Sequence, residues 1–169
     1  MEGALADLDA ADHAATPQAD NRFAMGEIYG QAHQFTQAIT QFNLWIAVHD
    51  DDARIGRAYA GRCRARAMSG QELDKAVGDC NKAIRLNSGN FSALDSRGLA
   101  RLRQGDLGHA VADYTDALKL QPRNPWSLYG RGLAEERQKN TSASEGDMAA
   151  ATAVAPHIAD EFKKIGLTQ

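Results

Sequence analysis

Cysteine, proline and aromatic residues are scarce in this sequence of 169 residues. It contains two cysteines, four prolines and 7% aromatic residues. Cys63 and Cys80 are too few for a disulfide-rich scaffold or a zinc site with four cysteine ligands. Most of the prolines lie at predicted helix boundaries. This composition favours an all-α chain of short helices in close contact.

A strong charge imbalance and a long apolar stretch are also missing. The net charge is −3, which argues against general nucleic-acid binding because that usually requires a basic surface. No apolar run approaches the roughly 20 residues that span a bilayer, and the opening stretch MEGALADLDAADHAA lacks the basic region of a signal peptide. We therefore expect no nucleic-acid or membrane partner. The cytoplasm is the default location, and the periplasm stays open if a leader was removed.

The sequence contains no recognisable catalytic or metal-binding motif. Its five histidines are scattered without an i, i+4 pair, and the HExxH, GxSxG and P-loop patterns are absent. The acidic run Asp50–Asp52 lacks the alternating oxygen donors and the distal Glu of a calcium loop. We expect neither enzymatic activity nor a cofactor or metal.

A repeat of 34 residues organises the chain, and its clearest copy is Phe91–Asn124. This stretch predicts two short amphipathic helices joined by a Gly-centred turn, and a shift by the same period reproduces the pattern. A fixed period of this size indicates stacked helical repeats. Small, aromatic or helix-ending residues occupy the key positions of this copy, which are Gly98, Gly105, Ala110, Tyr114, Ala117 and Pro122.

The period divides one domain, residues 1–169, into successive segments. Residues 53–56 interrupt the spacing, and Trp45 replaces the alanine of later copies, so we expect a splayed or rotated junction there. Ile158, Phe162 and Ile165 form the apolar stripe of a closing helix. The predicted segments are a half-repeat or capping helix at 4–17, repeats at 19–52, 57–90, 91–124 and 125–158, and a capping helix at 157–166.

These positions resemble the tetratricopeptide repeat, whose pattern has Leu-Gly and Tyr in the first helix, small and aromatic residues in the second, and a final Pro. The third copy carries the pattern at Leu94, Gly98, Tyr114 and Pro122. The resemblance covers about residues 19–158. It implies an all-α, right-handed α-solenoid of helix-turn-helix repeats with a C-terminal capping helix.

An Arg replaces the usual Leu before the repeat Gly, and an Asp follows each of these places sixteen residues later. The recurrence predicts structural pairs, Arg97 with Asp113 and Arg131 with Asp147, within one helical hairpin or between neighbours. The alternative is a row of arginines that faces an acidic peptide. Cys63 occupies the equivalent place before Asp79. This Arg-Gly subtype also looks like repeat regions of bacterial proteins.

The two cysteines occupy first-helix and second-helix positions that face each other in this type of repeat. Burial as small apolar side chains is the simplest interpretation. A disulfide in an oxidising compartment and a redox or metal role are the alternatives.

The resemblance implies a concave groove, lined by the first helices, that binds an unidentified protein or peptide. Trp126, Tyr129 and Arg137 are the candidate anchors because Trp, Tyr and Arg dominate binding hot spots; packing between repeats is the alternative for the two aromatics. The Lys and Asn that grip a carboxylate in chaperone-binding members are missing, which makes chaperone tails poor ligands. The groove candidates are Arg62, Met68, Asp95, Leu99, Arg103, Trp126, Tyr129, Leu133 and Arg137.

Two functions follow from this interpretation. The first is a protein–protein interaction module that binds a peptide or partner in the groove. The second is an accessory or scaffolding repeat region of a larger enzyme, such as a retropepsin-like protease, that mediates positioning or self-association. No Asp-Thr/Ser-Gly motif of such a protease occurs here.

Overall fold

The computed structural model describes residues 2–16 and 18–168, and its regular structure is helical throughout these ranges. None of the described helices is long and apolar enough to cross a membrane. Pro17, the last residue of the predicted half-repeat or capping helix, lies outside the described residues. The helices are α1 Glu2–Ala14, α2 Arg22–Gln31, α3 Phe35–Ile46, α4 Ile55–Ser69, α5 Leu73–Leu86, α6 Phe91–Gln104, α7 Leu107–Leu120, α8 Pro125–Arg137, α9 Thr141–Val154 and α10 Ile158–Lys164.

The helices α2 to α9 form four helical hairpins that stack into an all-α solenoid. The first helices of successive hairpins contact each other, from α2 to α4 to α6 to α8. Within the described part of the chain, the second helices α3, α5, α7 and α9 make no contacts with one another. The stack therefore curves toward the first helices, and these line its concave face.

Asparagine side chains cap the N-termini of two of the four first helices. Asn90 accepts a hydrogen bond from the backbone N–H of Ala93, and Asn124 accepts one from that of Ser127. Each bond satisfies a backbone donor that the first turn leaves free. At the other end of α6, Gly105 adopts φ 79°, a left-handed conformation that ends a helix at low steric cost.

Aromatic side chains of second helices fill space that glycines leave open on the first helices. The Phe42 ring lies so close to α4 that a Cβ at Gly61 would approach it to 2.5 Å. Tyr114 lies in the same way between Gly98 and Gly130. A larger residue at Gly61 or Gly130 would press on a ring of the preceding hairpin, and one at Gly98 would press on the ring of its own hairpin. The small positions of the repeat are therefore a requirement of its packing.

Trp45 does not splay the first junction. Its side chain is fully buried and packs within the first hairpin, with its ring centroid 5.2 Å from that of Phe23 and 4.5 Å from that of His49. The ring lies against its own hairpin, so α3 packs directly on α4. The expected splay is not seen between α3 and α4 because Trp45 packs within its own hairpin. The rotated junction, the other form of the prediction, stays a prediction.

One arginine in each of the last three hairpins joins two hairpins. Arg97 donates to both carboxylate oxygens of Asp113 on its own hairpin, at 2.9 and 2.6 Å. It also donates to Asn81 Oδ1 of the preceding hairpin at 2.7 Å. The same three-way contact recurs with Arg62, Asp79 and Asn43, and with Arg131, Asp147 and Thr115.

These carboxylates stand in a row along the second helices; Asp79 and Asp113 are buried, and Asp147 is partly exposed. The Asp113 side chain is 3% exposed, and Arg101 also donates to it at 2.6 Å. In the first hairpin, Gln41 takes the same place and accepts from Arg22. Buried polar groups of this kind can set the register between elements. We therefore interpret the row as a structural feature rather than a face for an acidic peptide.

The second hairpin departs from the predicted pattern. Arg62, one residue before the expected place, reaches Asp79. The expected place holds Cys63, which forms a disulfide with Cys80 of α5 across a Cα–Cα distance of 5.5 Å. Both cysteines are fully buried. The disulfide joins α4 to α5, and Cys80 takes the place that Phe42 and Tyr114 hold in the first and third hairpins.

Reduction of this disulfide is expected to destabilise the protein by about 3 kcal/mol, because the intact disulfide restricts the unfolded chain by closing a loop of 17 residues. The measurement is urea unfolding of protein that was reduced while unfolded and then refolded, against the oxidised form. The double variant Cys63→Ala/Cys80→Ala is the control, since the reductant should leave its unfolding unchanged. Equal midpoints for the oxidised and reduced wild type would contradict the prediction.

Candidate functional site

Two adjoining cavities form a groove along the concave face of α2, α4 and α6. The first measures about 240 Å³ and the second about 180 Å³. Arg64 of α4 and Ser92 of α6 line both cavities, so the two form one continuous surface. We call this surface the open groove.

The first cavity is mainly apolar. Gly26 and Gly61 line it without side chains, and Phe35 and Phe42 add apolar surface. A single ion pair lies at its edge, where Arg57 donates to Glu27 at 2.7 Å. The side chains of this pair are 66% and 39% exposed, so the pair contributes little to stability. The cavity suits an apolar side chain of a ligand.

The second cavity combines apolar walls with three polar groups. Met68 and Leu99 supply apolar surface. The Asp95 carboxylate accepts a hydrogen bond from the Ser127 hydroxyl. Burial raises the pKa of Asp95 to about 6, against the opposing effects of Ser127 and Arg64. The carboxylate is therefore mostly ionised at neutral pH.

Tyr114 and Arg64 are the other two polar groups of this cavity. Tyr114 is 1% exposed, and its hydroxyl has no hydrogen-bond partner among the described residues. Burial, followed by the charges of Asp95 and Asp113, raises the pKa of Tyr114 well above its usual value, so it stays a neutral phenol. Arg64 is exposed and forms no ion pair with any described residue.

The helix α10 covers the other end of the concave face. Its Phe162 is fully buried, with its ring centroid 4.8 Å from those of both Trp126 and Tyr129. The turn after α10 is held by two arginines. Arg103 donates to the Ile165 carbonyl at 2.5 Å, and Arg137 donates to the Leu167 carbonyl at 2.9 Å.

The residues predicted for the groove thus fall into four groups. Met68, Asp95 and Leu99 line the second cavity, which Trp126 also borders. Arg103, Trp126, Tyr129 and Arg137 contact α10 or the turn after it, and Leu133 is buried in the core. Arg62 pairs with Asp79.

The anchoring role of Trp126, Tyr129 and Arg137 stays a prediction. For Tyr129 and Arg137 it now requires that α10 be displaced, whereas Trp126 also borders the open second cavity. Sequence reasoning placed Ser92 in the groove but missed Arg64 and Tyr114. Tyr114 was recognised only as the aromatic residue of the repeat. Its ring lies between Gly98 of α6 and Gly130 of α8, and the residue lines the second cavity from the outer helix α7.

The described residues contain no group of three or more His, Cys, Asp or Glu side chains that could hold a metal ion. The groove instead offers hydrogen-bonding groups and apolar hollows, which are the features of a binding surface.

Comparison with known proteins identifies the repeat. A family profile described as TPR repeat matches residues 98–139. The solved structure of MamA superposes with a TM-score of 0.70 at 19% identity, covering 94% of this chain and 85% of MamA. Residues 98–139 therefore carry a tetratricopeptide repeat, and the chain has the fold of tetratricopeptide-repeat structures. A search of curated protein sequences found no match.

Other tetratricopeptide-repeat structures share the fold at similarly low identity. YrrB, described as having an unusual peptide-binding site, superposes with a TM-score of 0.68 at 17% identity over 96% of this chain and 82% of YrrB. The first such domain of Spaghetti (RPAP3), bound to the HSP90 peptide SRMEEVD, superposes with a TM-score of 0.54 at 23% identity over 78% of this chain and 96% of that domain.

Proposed function

We propose that this protein is an interaction module whose open groove binds an extended segment of a partner protein. The observation that carries the proposal is the pair of adjoining cavities along three successive first helices. A concave surface with apolar hollows and a few placed polar groups is the usual form of a ligand site. The peptide-binding sites of YrrB and Spaghetti support the same role for this fold.

The groove chemistry argues against partners that bind through a C-terminal carboxylate. The places of the carboxylate-gripping Lys and Asn are held by Gly61, Ala65, Asp95 and Leu99. Asp95 would repel a carboxylate, since like charges that face each other in a partly buried site disfavour binding. We therefore expect an internal segment of the partner, with an apolar side chain in the first cavity.

Filling the groove should block binding. Ser92 is exposed, lies in the first turn of α6 and borders both cavities. Ser92→Trp is therefore expected to weaken binding at least about tenfold, or about 1.4 kcal/mol, without disturbing the core. The measurement is fluorescence polarisation with a labelled peptide selected from a displayed random library on the wild-type protein.

The matched control is Ser142→Trp. Ser142 is also exposed and also lies in the first turn of its helix, but α9 belongs to the outer layer of second helices. This variant should bind the peptide within about twofold of the wild type. Equal affinity of the two tryptophan variants would contradict binding in the open groove.

A further inference from the structure

We propose that the second cavity of the open groove recognises the carboxamide side chain of an Asn or Gln in the partner segment. This inference rests on the proposed function, since it names the chemistry that the groove selects. Three residues with polar side chains point to it: Asp95, Tyr114 and Arg64, all of which line the same cavity.

The buried hydroxyl of Tyr114 is the strongest sign that this cavity takes a polar group. A buried hydroxyl without a partner costs about 1–3 kcal/mol, and this one has no partner among the described residues. The side chain is 1% exposed and borders the cavity. A ligand that bonds to the hydroxyl would remove this cost.

The charges of the cavity favour a dipole over an ion. Arg64 and Asp95 form no ion pair with each other within the described structure, although both line the cavity. An anionic side chain would be attracted by Arg64 but repelled by Asp95. A cationic side chain would be attracted by Asp95 but repelled by Arg64. A carboxamide places N–H donors toward Asp95 and its oxygen acceptor toward Arg64 or Tyr114, so every contact is favourable.

The shape of the cavity favours a side chain over the peptide main chain. The cavity has a volume of about 180 Å³, and its lining includes the apolar side chains of Met68 and Leu99 and, from the outer helix α7, Tyr114. A main-chain amide running along the groove would stay above these apolar walls. An Asn or Gln side chain can pass between them, with its methylene groups on the walls and its amide at the polar groups.

Small probes test the chemistry directly. Propionamide, propionate and propylammonium have similar size and differ in charge. We expect only propionamide to shift the amide NMR signals of residues around Asp95 and Ser127 saturably, with a Kd on the order of 10 mM. Saturable shifts of these signals by propionate or propylammonium but not by propionamide, or no shift with any probe, would overturn the inference.

Two arginine variants assign the site. Arg64→Met should weaken propionamide binding at least about threefold. Arg85→Met, on an exposed arginine of α5 that borders neither cavity, should leave it unchanged. Tyr114→Phe should also weaken binding, whereas equal weakening by both arginine variants would overturn the assignment to this cavity.

The peptides selected for the proposed function separate the two claims. We expect them to share an Asn or Gln, and Gln→Met or Gln→Glu in the peptide to weaken binding about tenfold or more. The selected peptides could lose binding to Ser92→Trp and yet bind the wild type equally well after both Gln replacements. That result would support binding in the groove and overturn the carboxamide inference. If no peptide binds, the proposed function fails, while the propionamide titration still tests the cavity by itself.

Discussion

Asp113→Ala is expected to lower the free energy of unfolding by about 3–5 kcal/mol, which corresponds to a fall in melting temperature of about 10 °C. The side chain is 3% exposed and accepts hydrogen bonds from both Arg97 and Arg101. Its removal leaves two partly buried guanidinium groups without their counter-charge. It also loosens the contact that Arg97 makes with Asn81 of the preceding hairpin.

A surface acid of the same helix is the matched control. Asp116 is 51% exposed and pairs with Lys119 at 2.7 Å, so Asp116→Ala should change stability by less than about 0.5 kcal/mol. The stability of Asp113→Asn should lie between those of the two alanine variants, because the amide oxygen can still accept a hydrogen bond from one arginine. Thermal and urea unfolding measure all three. Unchanged melting temperatures for both Asp113 variants would contradict the structural role of the carboxylate row.

Phe162→Ala is expected to cost up to about 3–5 kcal/mol, the usual range for a fully buried Phe. The loss should be local. The helix α10 has seven residues and depends on this side chain for its contact with Trp126 and Tyr129. The variant can destabilise the solenoid only by the free energy that holds α10 in place, because a detached α10 no longer contributes to the rest of the protein. Hydrogen exchange should therefore accelerate at residues 158–167 and change little in α4 and α6.

Lys163→Ala provides the comparison within the same helix. Lys163 is exposed, so its replacement should leave exchange in α10 nearly unchanged. Accelerated exchange throughout the solenoid in Phe162→Ala would show instead that α10 is part of the cooperative core. Local detachment would expose Trp126 and Tyr129, the anchors predicted from the sequence, and would extend the open groove toward α8.

The repeat period was sufficient to predict the fold, because each repeat contributes the same helical hairpin and the same contacts with its neighbours. The pairs Arg97–Asp113 and Arg131–Asp147 were predicted from their recurrence, and the structure brings both together. In the second hairpin the recurrence was misleading. Cys63 stands where the pattern has an arginine in later hairpins, and it forms a disulfide. Arg62, one residue earlier, pairs with Asp79 instead. A one-residue shift of this kind depends on three-dimensional packing.

The candidate site was harder to predict for a different reason. The apolar stripe of α10 was visible in the sequence, but the stripe did not indicate which surface it covers. Its position over α8 follows from the fit of Phe162 with Trp126 and Tyr129 and from the carbonyls bound by Arg103 and Arg137. Because these contacts join distant parts of the chain, sequence reasoning placed the anchors in the covered half of the concave face.

The affinity of a selected peptide for Ser92→Trp, compared with Ser142→Trp, tests the account most directly. Both variants place the same large side chain in the first turn of a helix, and only the first reaches the open groove. Our account predicts a loss of at least about tenfold for Ser92→Trp and nearly wild-type affinity for Ser142→Trp. Equal affinities, or a larger loss for Ser142→Trp, would contradict it.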